Sequence, residues 1–449
     1  MHLSRPLRLL LTALLLAAPT PLAAAPPAAT TPATTTLTPA HITAVLDEVA
    51  RNITAHYVVP ARRPAIVDAL RVAQRQGRYA VTNPTELAAR LSDDLARAGN
   101  DRHLWVRWSP EEYRALQLPP ESAEAQAYFT ALARRKHHGV EALRILGGNL
   151  RYLKYSQFMW EPDVSGHAID DAIRFLAGGD AIIIDLRGNG GGHPAAVQYL
   201  ISHFIKEPDR LLVTFHDELL KETRESRVLA HLPAGRITDT PLYVLMDGGT
   251  GSAAEEFVSH IKHFKLGTLV GRKTAGAAHN NSVLPVAPGF LVSISTGRPV
   301  HAVSGGDWEV AGVAPDLPAS SREALDVATL HALDALTRKT RDAGTRATYA
   351  WARLDVEARL HPPAVKADQL ARHVGAYGDR TIIRERGALV YRRPGRDDTR
   401  LTPLAADLFG LTGDPSRRIH FITTAGRTTT LEILFDDGQS QRFPRNADK

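Results

Sequence analysis

The chain has 449 residues, a hydrophobic fraction of 44% and a formal net charge of +6, which is enough for two or three domains with ordinary cores. Its Lys and Arg are interspersed with Asp and Glu, a pattern that excludes a nucleic-acid surface built from clustered basic residues. It contains no cysteine, so disulfides, thiolate metal sites and a cysteine nucleophile are excluded together.

Arg5 and Arg8 precede an apolar run over residues 9–18, and Pro21-Leu-Ala-Ala-Ala25 offers small residues for cleavage. This is the layout of a secretory signal peptide over residues 1–25, too short to span a membrane, and it predicts a protein exported to the periplasm or the exterior. Residues 26–37 are nearly all Ala, Pro and Thr and read as a disordered leader. No later run is apolar and long enough for an integral membrane span.

Residues 38–108 read as a helical cap. Thr38-Pro39 opens a first helix with Ile42, Val45, Leu46 and Val49 on one face, a second lies near 64–76, and Asn83-Pro84 opens a third that ends at Gly99. The cap closes on Asp101-Arg-His-Leu-Trp-Val-Arg-Trp108, a polar turn into an alternating strand with His103 at the junction. Taken alone, His103 is one histidine of 19. Residues 109–138 form a charged helical connector.

From 139 to 320 strands alternate with helices, which argues for an α/β domain around one largely buried sheet. Strands are expected at 150–155, 181–186, 211–215, 242–246, 269–271 and 291–295, with helices at 169–176 and 197–205 between them. Asp185-Leu-Arg-Gly-Asn-Gly-Gly-Gly-His193 follows a buried strand. Such a loop brings backbone N–H groups close to a ligand, but it lacks the spacing of a nucleotide-binding loop or a dinucleotide fingerprint. Asp247-Gly-Gly-Thr-Gly-Ser252 links a second buried strand to a helix carrying Ala254, Phe257, Val258 and Ile261 on one face. Ser252 is therefore either a helix cap or a hydroxyl held clear of the core beside free helix N–H groups. Glu309 lies between apolar residues in Asp307-Trp-Glu-Val-Ala-Gly-Val-Ala-Pro-Asp316, where a buried carboxylate needs a partner. A helical linker over 321–362 leads to residues 363–449, where short strands and turn signals predict a small antiparallel β domain.

Asp-Leu-Arg-Gly-Asn-Gly-Gly-Gly, Thr-Gly-Ser-Ala-Ala-Glu-Glu-Phe and Asp-Trp-Glu-Val-Ala-Gly-Val-Ala-Pro-Asp occur in this order. The set resembles the family uniting C-terminal-processing (tail-specific) peptidases, the tricorn protease and the interphotoreceptor retinoid-binding protein modules, over roughly residues 40–320. The resemblance implies a crotonase-like α/β peptidase core. It implies Ser252 as nucleophile, His103 as general base in the manner of the tricorn-like branch, and Glu309, 57 positions after the serine, as the acid that orients the base. The backbone N–H groups of Ala253 and Gly191 match the oxyanion hole.

Two departures stand out. Ala277 occupies the place of the lysine used by the C-terminal-processing branch, which argues against a Ser-Lys mechanism, and Arg102 replaces the serine that precedes the tricorn histidine. The β domain resembles the lipocalin-like accessory domains of some secreted hydrolases. The resemblance thus implies a serine peptidase acting on peptides or unfolded proteins through an acyl-enzyme, with neither metal nor cofactor. The alternative is a non-catalytic ligand- or peptide-binding protein on the same fold.

Overall fold

The computed structural model describes residues 36–118, 122–161 and 164–447, so the expected signal peptide and all but the end of the leader lie outside the described residues. Leu37, at the end of that leader, is buried in the cap core and its amide donates to the Thr82 carbonyl at 2.8 Å. The cap helices run Pro39–His56, Arg63–Arg75 and Pro84–Gly99. Thr38 and Asn83 cap the first and third by accepting amide hydrogens of the first turn, satisfying donors a helix start leaves free. Their apolar faces do not close on one another alone. Ile42, Val49 and Leu91 share one core with Phe290, Val292 and Ile294 of the long strand Phe290–His301. The connector expected over 109–138 contains the helices Pro110–Gln117 and Ala123–Arg135.

The core domain differs from the single sheet expected of it. A six-stranded sheet has the order Leu317–Pro318, Thr268–Gly271, Leu242–Met246, Ala181–Asp185, Leu150–Tyr155 and Val140–Leu146. Its strands are parallel except the last. The strands expected at 211–215 and 291–295 leave it: Leu211–Asp217 and Phe290–His301 pair antiparallel with each other in a second sheet, which also takes in Trp105–Trp108, Glu222–Arg227 and Asn280–Val286. The cause is local connectivity. Each of these two strands has a hairpin partner next to it in the chain, and such partners pair antiparallel.

Alternation of side chains explains the layers around the parallel sheet. Ile182, Ile184, Val244 and Met246 pack against the helices Ser165–Leu176, Pro194–Ser202 and Ala253–His263. Ile183, Tyr243, Leu245 and Val270 pack against Ala324–Lys339 and Ala343–Leu360. Both faces are covered, which is why these strands are apolar runs.

Residues 375–444 form an eight-stranded antiparallel sheet in simple chain order. Its first strand meets the chain just past the last one, through a bridge between Tyr377 and Arg445 and a bond from the Asn446 amide to the Ala376 carbonyl. The two ends of the sheet are thereby brought together in a small, partly closed barrel, and Tyr377, Ile382, Phe409, Phe421 and Leu431 fill its interior. No helix among the described residues is long and apolar enough to cross a membrane.

Candidate active site

Ser252 stands at the carboxyl ends of two neighbouring parallel strands, Ala181–Asp185 and Leu242–Met246, the place where open α/β sheets bind ligands. The loops that follow these strands are tied together. Thr250 Oγ1 donates to the Leu186 carbonyl at 2.8 Å, the Gly188 amide donates to Asp247 at 3.0 Å, and the Gly251 amide donates to the Asn189 carbonyl at 3.0 Å. Between them Ser252 adopts φ 51° and ψ −125°. A non-glycine residue there carries strain of about 1–3 kcal/mol, and such strain collects at functional sites. Ser252 occupies the N-cap position of Ala253–His263, but its backbone is not the extended one of an ordinary cap.

Gly191 packs directly on this junction. A Cβ there would lie 2.6 Å from the Ser252 Cβ and 2.9 Å from the Ala253 amide nitrogen. With φ +111° as well, only glycine fits. Gly191 is thus beside the expected oxyanion position, but its own N–H donates to Asn189 Oδ1 at 2.9 Å. The Asn189 amide group in turn donates to the Tyr155 carbonyl at 2.8 Å, which fixes the loop.

Glu255, one turn into the serine helix, connects Ser252 to the segment that follows it. Its buried carboxylate accepts hydrogen bonds from the Ser252 amide (3.2 Å), Thr274 Oγ1 (2.5 Å), the Gly276 amide (2.7 Å) and the Ala277 amide (2.7 Å). Burial pushes its pKa up, and these donors act in the opposite direction. The next two amides belong to a second carboxylate: Ala278 and His279 donate to Glu309 Oε2 at 2.7 and 3.0 Å. Residues 276–279 are therefore clamped from both sides, by Glu255 and by Glu309.

Five ionisable groups meet there. His279 Nδ1 lies 3.3 Å from Asp101 Oδ2 and 3.6 Å from Glu309 Oε2. Asp101 Oδ1 accepts the His103 amide at 2.8 Å, and its Oδ2 also accepts the Tyr57 hydroxyl at 3.2 Å. Burial alone would lower the His279 pKa, but the bond to Asp101 and the charge of Glu309 outweigh it and hold it above the ordinary value. Burial would raise Asp101, yet the His279 and His103 donors bring it below the usual carboxylate range. Burial raises Glu309 and lowers His103. The His103 ring itself makes no hydrogen bond through Nδ1.

Of the residues singled out from sequence, Ser252, Ala253 and Gly191 form one cluster. Glu309 joins another in which its ring partner is His279 rather than His103, and His103 is tied to that cluster through its backbone. Asp101, Glu255 and His279 were not anticipated. Ser252-Ala-Ala-Glu255 does carry the spacing of a capping box, and Asp101 lies two residues before His103, where a carboxylate reaches a following amide. Nothing local marks His279. Asp101, His279 and Glu309 are also the group of the described residues whose atoms lie close enough to hold a metal ion, within 4.8 Å of one another. Their nearest oxygens are already committed to protein donors, an arrangement suited to ion pairing.

Residues 149–319 match the family model described as Peptidase family S41, and residues 34–139 match the N-terminal domain of Peptidase_S41 in eukaryotic IRBP. The chain is similar to the chloroplastic C-terminal processing peptidase of Tetradesmus obliquus, 30% identical over 139 residues that cover 30% of this chain and 28% of that one. It is also similar to carboxyl-terminal-processing peptidase 2, chloroplastic, of Arabidopsis thaliana, 26% identical over 229 residues covering 49% and 40%. The chain thus spans less than half the length of these curated relatives. Among solved structures it is similar to the photosystem II D1 C-terminal processing protease, with 16% identity, coverage of 64% and 94%, and a TM-score of 0.41. The tricorn protease gives 10% identity, coverage of 67% and 37%, and a TM-score of 0.43. Scores at this level carry no argument about the site.

Proposed function

Because this chain belongs to peptidase family S41, we propose that it is a serine peptidase that hydrolyses peptide bonds in peptides or unfolded proteins, with Ser252 as nucleophile, His103 as general base and Glu309 as the supporting acid. The observation that carries this reading is the backbone of Ser252: φ 51° at a strand-to-helix turn, with Gly191 packed against it. Such a turn presents the hydroxyl at the end of the sheet beside the amides of a helix start.

In this reading Ser252 Oγ attacks the scissile carbonyl carbon while a histidine nitrogen takes its proton. The negative charge gathers on the former carbonyl oxygen, where the Ala253 N–H donates, joined by Gly191 once its amide exchanges Asn189 for the oxyanion. Return of the proton to the leaving amine gives the acyl-enzyme. Water, deprotonated by the same base, then releases the acid and restores Ser252. Burial keeps His103 neutral near pH 7, as a proton acceptor must be. The signal-peptide pattern of residues 1–25 extends the proposal to an exported enzyme.

Two observations favour the alternative of a binding protein: the Gly191 amide is occupied, and His103 Nδ1 has no partner. Covalent labelling with a fluorophosphonate, mapped by mass, separates the two readings. The peptidase labels at Ser252, and Ser252→Ala and His103→Ala abolish the label. A folded protein that stays unlabelled is a binder.

A further inference from the structure

We infer that His279 is a positioning residue of this centre, a cationic bridge that holds Asp101 and Glu309 together and so sets the His103 turn against the serine loop. The inference rests on the peptidase reading for its consequence in catalysis, but not for its geometry. Asp101 and Glu309 are buried or nearly so and come from segments far apart in the chain, and both face the same nitrogen, His279 Nδ1, at 3.3 and 3.6 Å. Two carboxylates brought this close repel each other unless a proton or a cation lies between them. A protonated imidazole supplies that cation, with a hydrogen bond to Asp101 and a charge contact to Glu309.

The bridge joins the two halves of the site. On one side, Asp101 Oδ1 fixes the His103 amide. On the other, Glu309 holds the 278 and 279 amides, Glu255 holds 276 and 277, and the Ser252 amide donates to Glu255. His279 is where the cap's histidine turn is tied to the loop that leads back to the serine. The groups that face it are Asp101 and His103 from the turn after the third cap helix, Tyr57 from the end of the first, and Glu309 and Asp307 from the loop before Leu317–Pro318. Arg97 and Arg102 line an adjoining cavity of about 430 Å³. The role also accounts for the placement of Glu309, which meets the His279 ring and no nitrogen of His103.

The experiment is the pH dependence of fluorophosphonate labelling at Ser252 in the full chain, comparing the parent with His279→Gln and His279→Lys. Loss of the bridge misplaces the base, so His279→Gln labels about 10–100-fold more slowly. It also moves the acid limb to higher pH, because the cation that disfavours protonation of His103 is gone. His279→Lys retains the charge and recovers most of the rate, with the limb unmoved. A His279→Gln protein with parental rate and parental limb overturns the inference. So does one that is folded but as inert as His103→Ala, since His279 would then be the base itself.

Long-range proton–nitrogen NMR of the parent's ring nitrogens reads the bridge without turnover. His279 is expected to carry a proton on Nδ1 and to titrate above an ordinary histidine, at about 6.5, with that titration falling in Asp101→Asn and Glu309→Gln. An imidazole that is neutral with its proton on Nε2 overturns the inference even if Ser252 never labels. An unlabelled parent whose His279 behaves as expected overturns the peptidase reading alone.

Discussion

Gly191 and Ser252 share a contact that leaves no room for a methyl group, so Gly191→Ala tests the junction with one added carbon. The new Cβ would meet the Ser252 Cβ, the Gly251 carbonyl at 2.8 Å and the Ala253 amide. Overpacking of this kind costs roughly 1–3 kcal/mol, and displacement of an oxyanion donor slows acyl transfer about 10²-fold. Calorimetry and labelling rate should show both losses together. His103 offers a pH test at the same scale. A general base works only when neutral, and burial lowers its pKa, so the acid limb of labelling should fall below the ordinary histidine value of about 6.5. Measuring the rate from pH 4 to 8 checks this, and a limb at or above the ordinary value contradicts it. The turn at Ser252 and the glycine loop after Asp185 were legible in the sequence because both are local patterns, a hydroxyl and glycines at the ends of apolar strands, whereas Gly191 and Ala253 came from the family resemblance. His279 was not, because its meaning comes from a carboxylate 178 positions away, which no window of sequence brings near.

Along the serine helix Ala253–His263, acidic residues one position apart have opposite environments. Glu255 is surrounded by donors, whereas Glu256 is buried with one oxygen lacking a hydrogen-bond partner and its pKa pushed up to about 8 by burial. In the unfolded chain a glutamate ionises at about 4.3. Between these values the folded state retains a proton that the unfolded state has released, so stability declines as pH rises through that window. Glu256→Gln removes the dependence. Its melting temperature relative to the parent should rise from pH 5 to pH 8, and an unchanged difference would show that Glu256 is ionised or hydrated in the fold. The helix and the buried strands were readable because their apolar periods are strong. Val140–Leu146 and Glu222–Arg227 were not, since edge strands with exposed charged residues leave no alternating pattern. The assignment of strands to two sheets was hidden for another reason: pairing depends on partners, and the sequence displays only strands.

The barrel is tied to the core by the helix Ala343–Leu360. Trp351 Nε1 donates to the Pro415 carbonyl at 2.9 Å, and the buried Arg418 guanidinium lies 3.8 Å from the Trp351 ring centre and 3.2 Å from Asp355. Trp351→Ala removes the ring from a desolvated cation and should cost about 1–3 kcal/mol. Limited proteolysis between residues 361 and 374 should accelerate, while Ser252 labels at the parental rate. The short antiparallel strands of this region were legible from their turns. Its attachment was not, because an arginine inside an antiparallel strand looks like any solvent-facing charge until a tryptophan is found beneath it. Closure of the barrel has a consequence for recruitment. The Tyr377–Arg445 bridge and the bond from the Asn446 amide to Ala376 occupy the outer edge of the first strand, so an extended polypeptide finds no free row of amides and carbonyls there and that margin is protected against edge-to-edge pairing. Strand addition belongs instead to margins that pair on one side only among the described residues, Ser440–Pro444 at the other end of this sheet and Val140–Leu146 at the end of the core sheet.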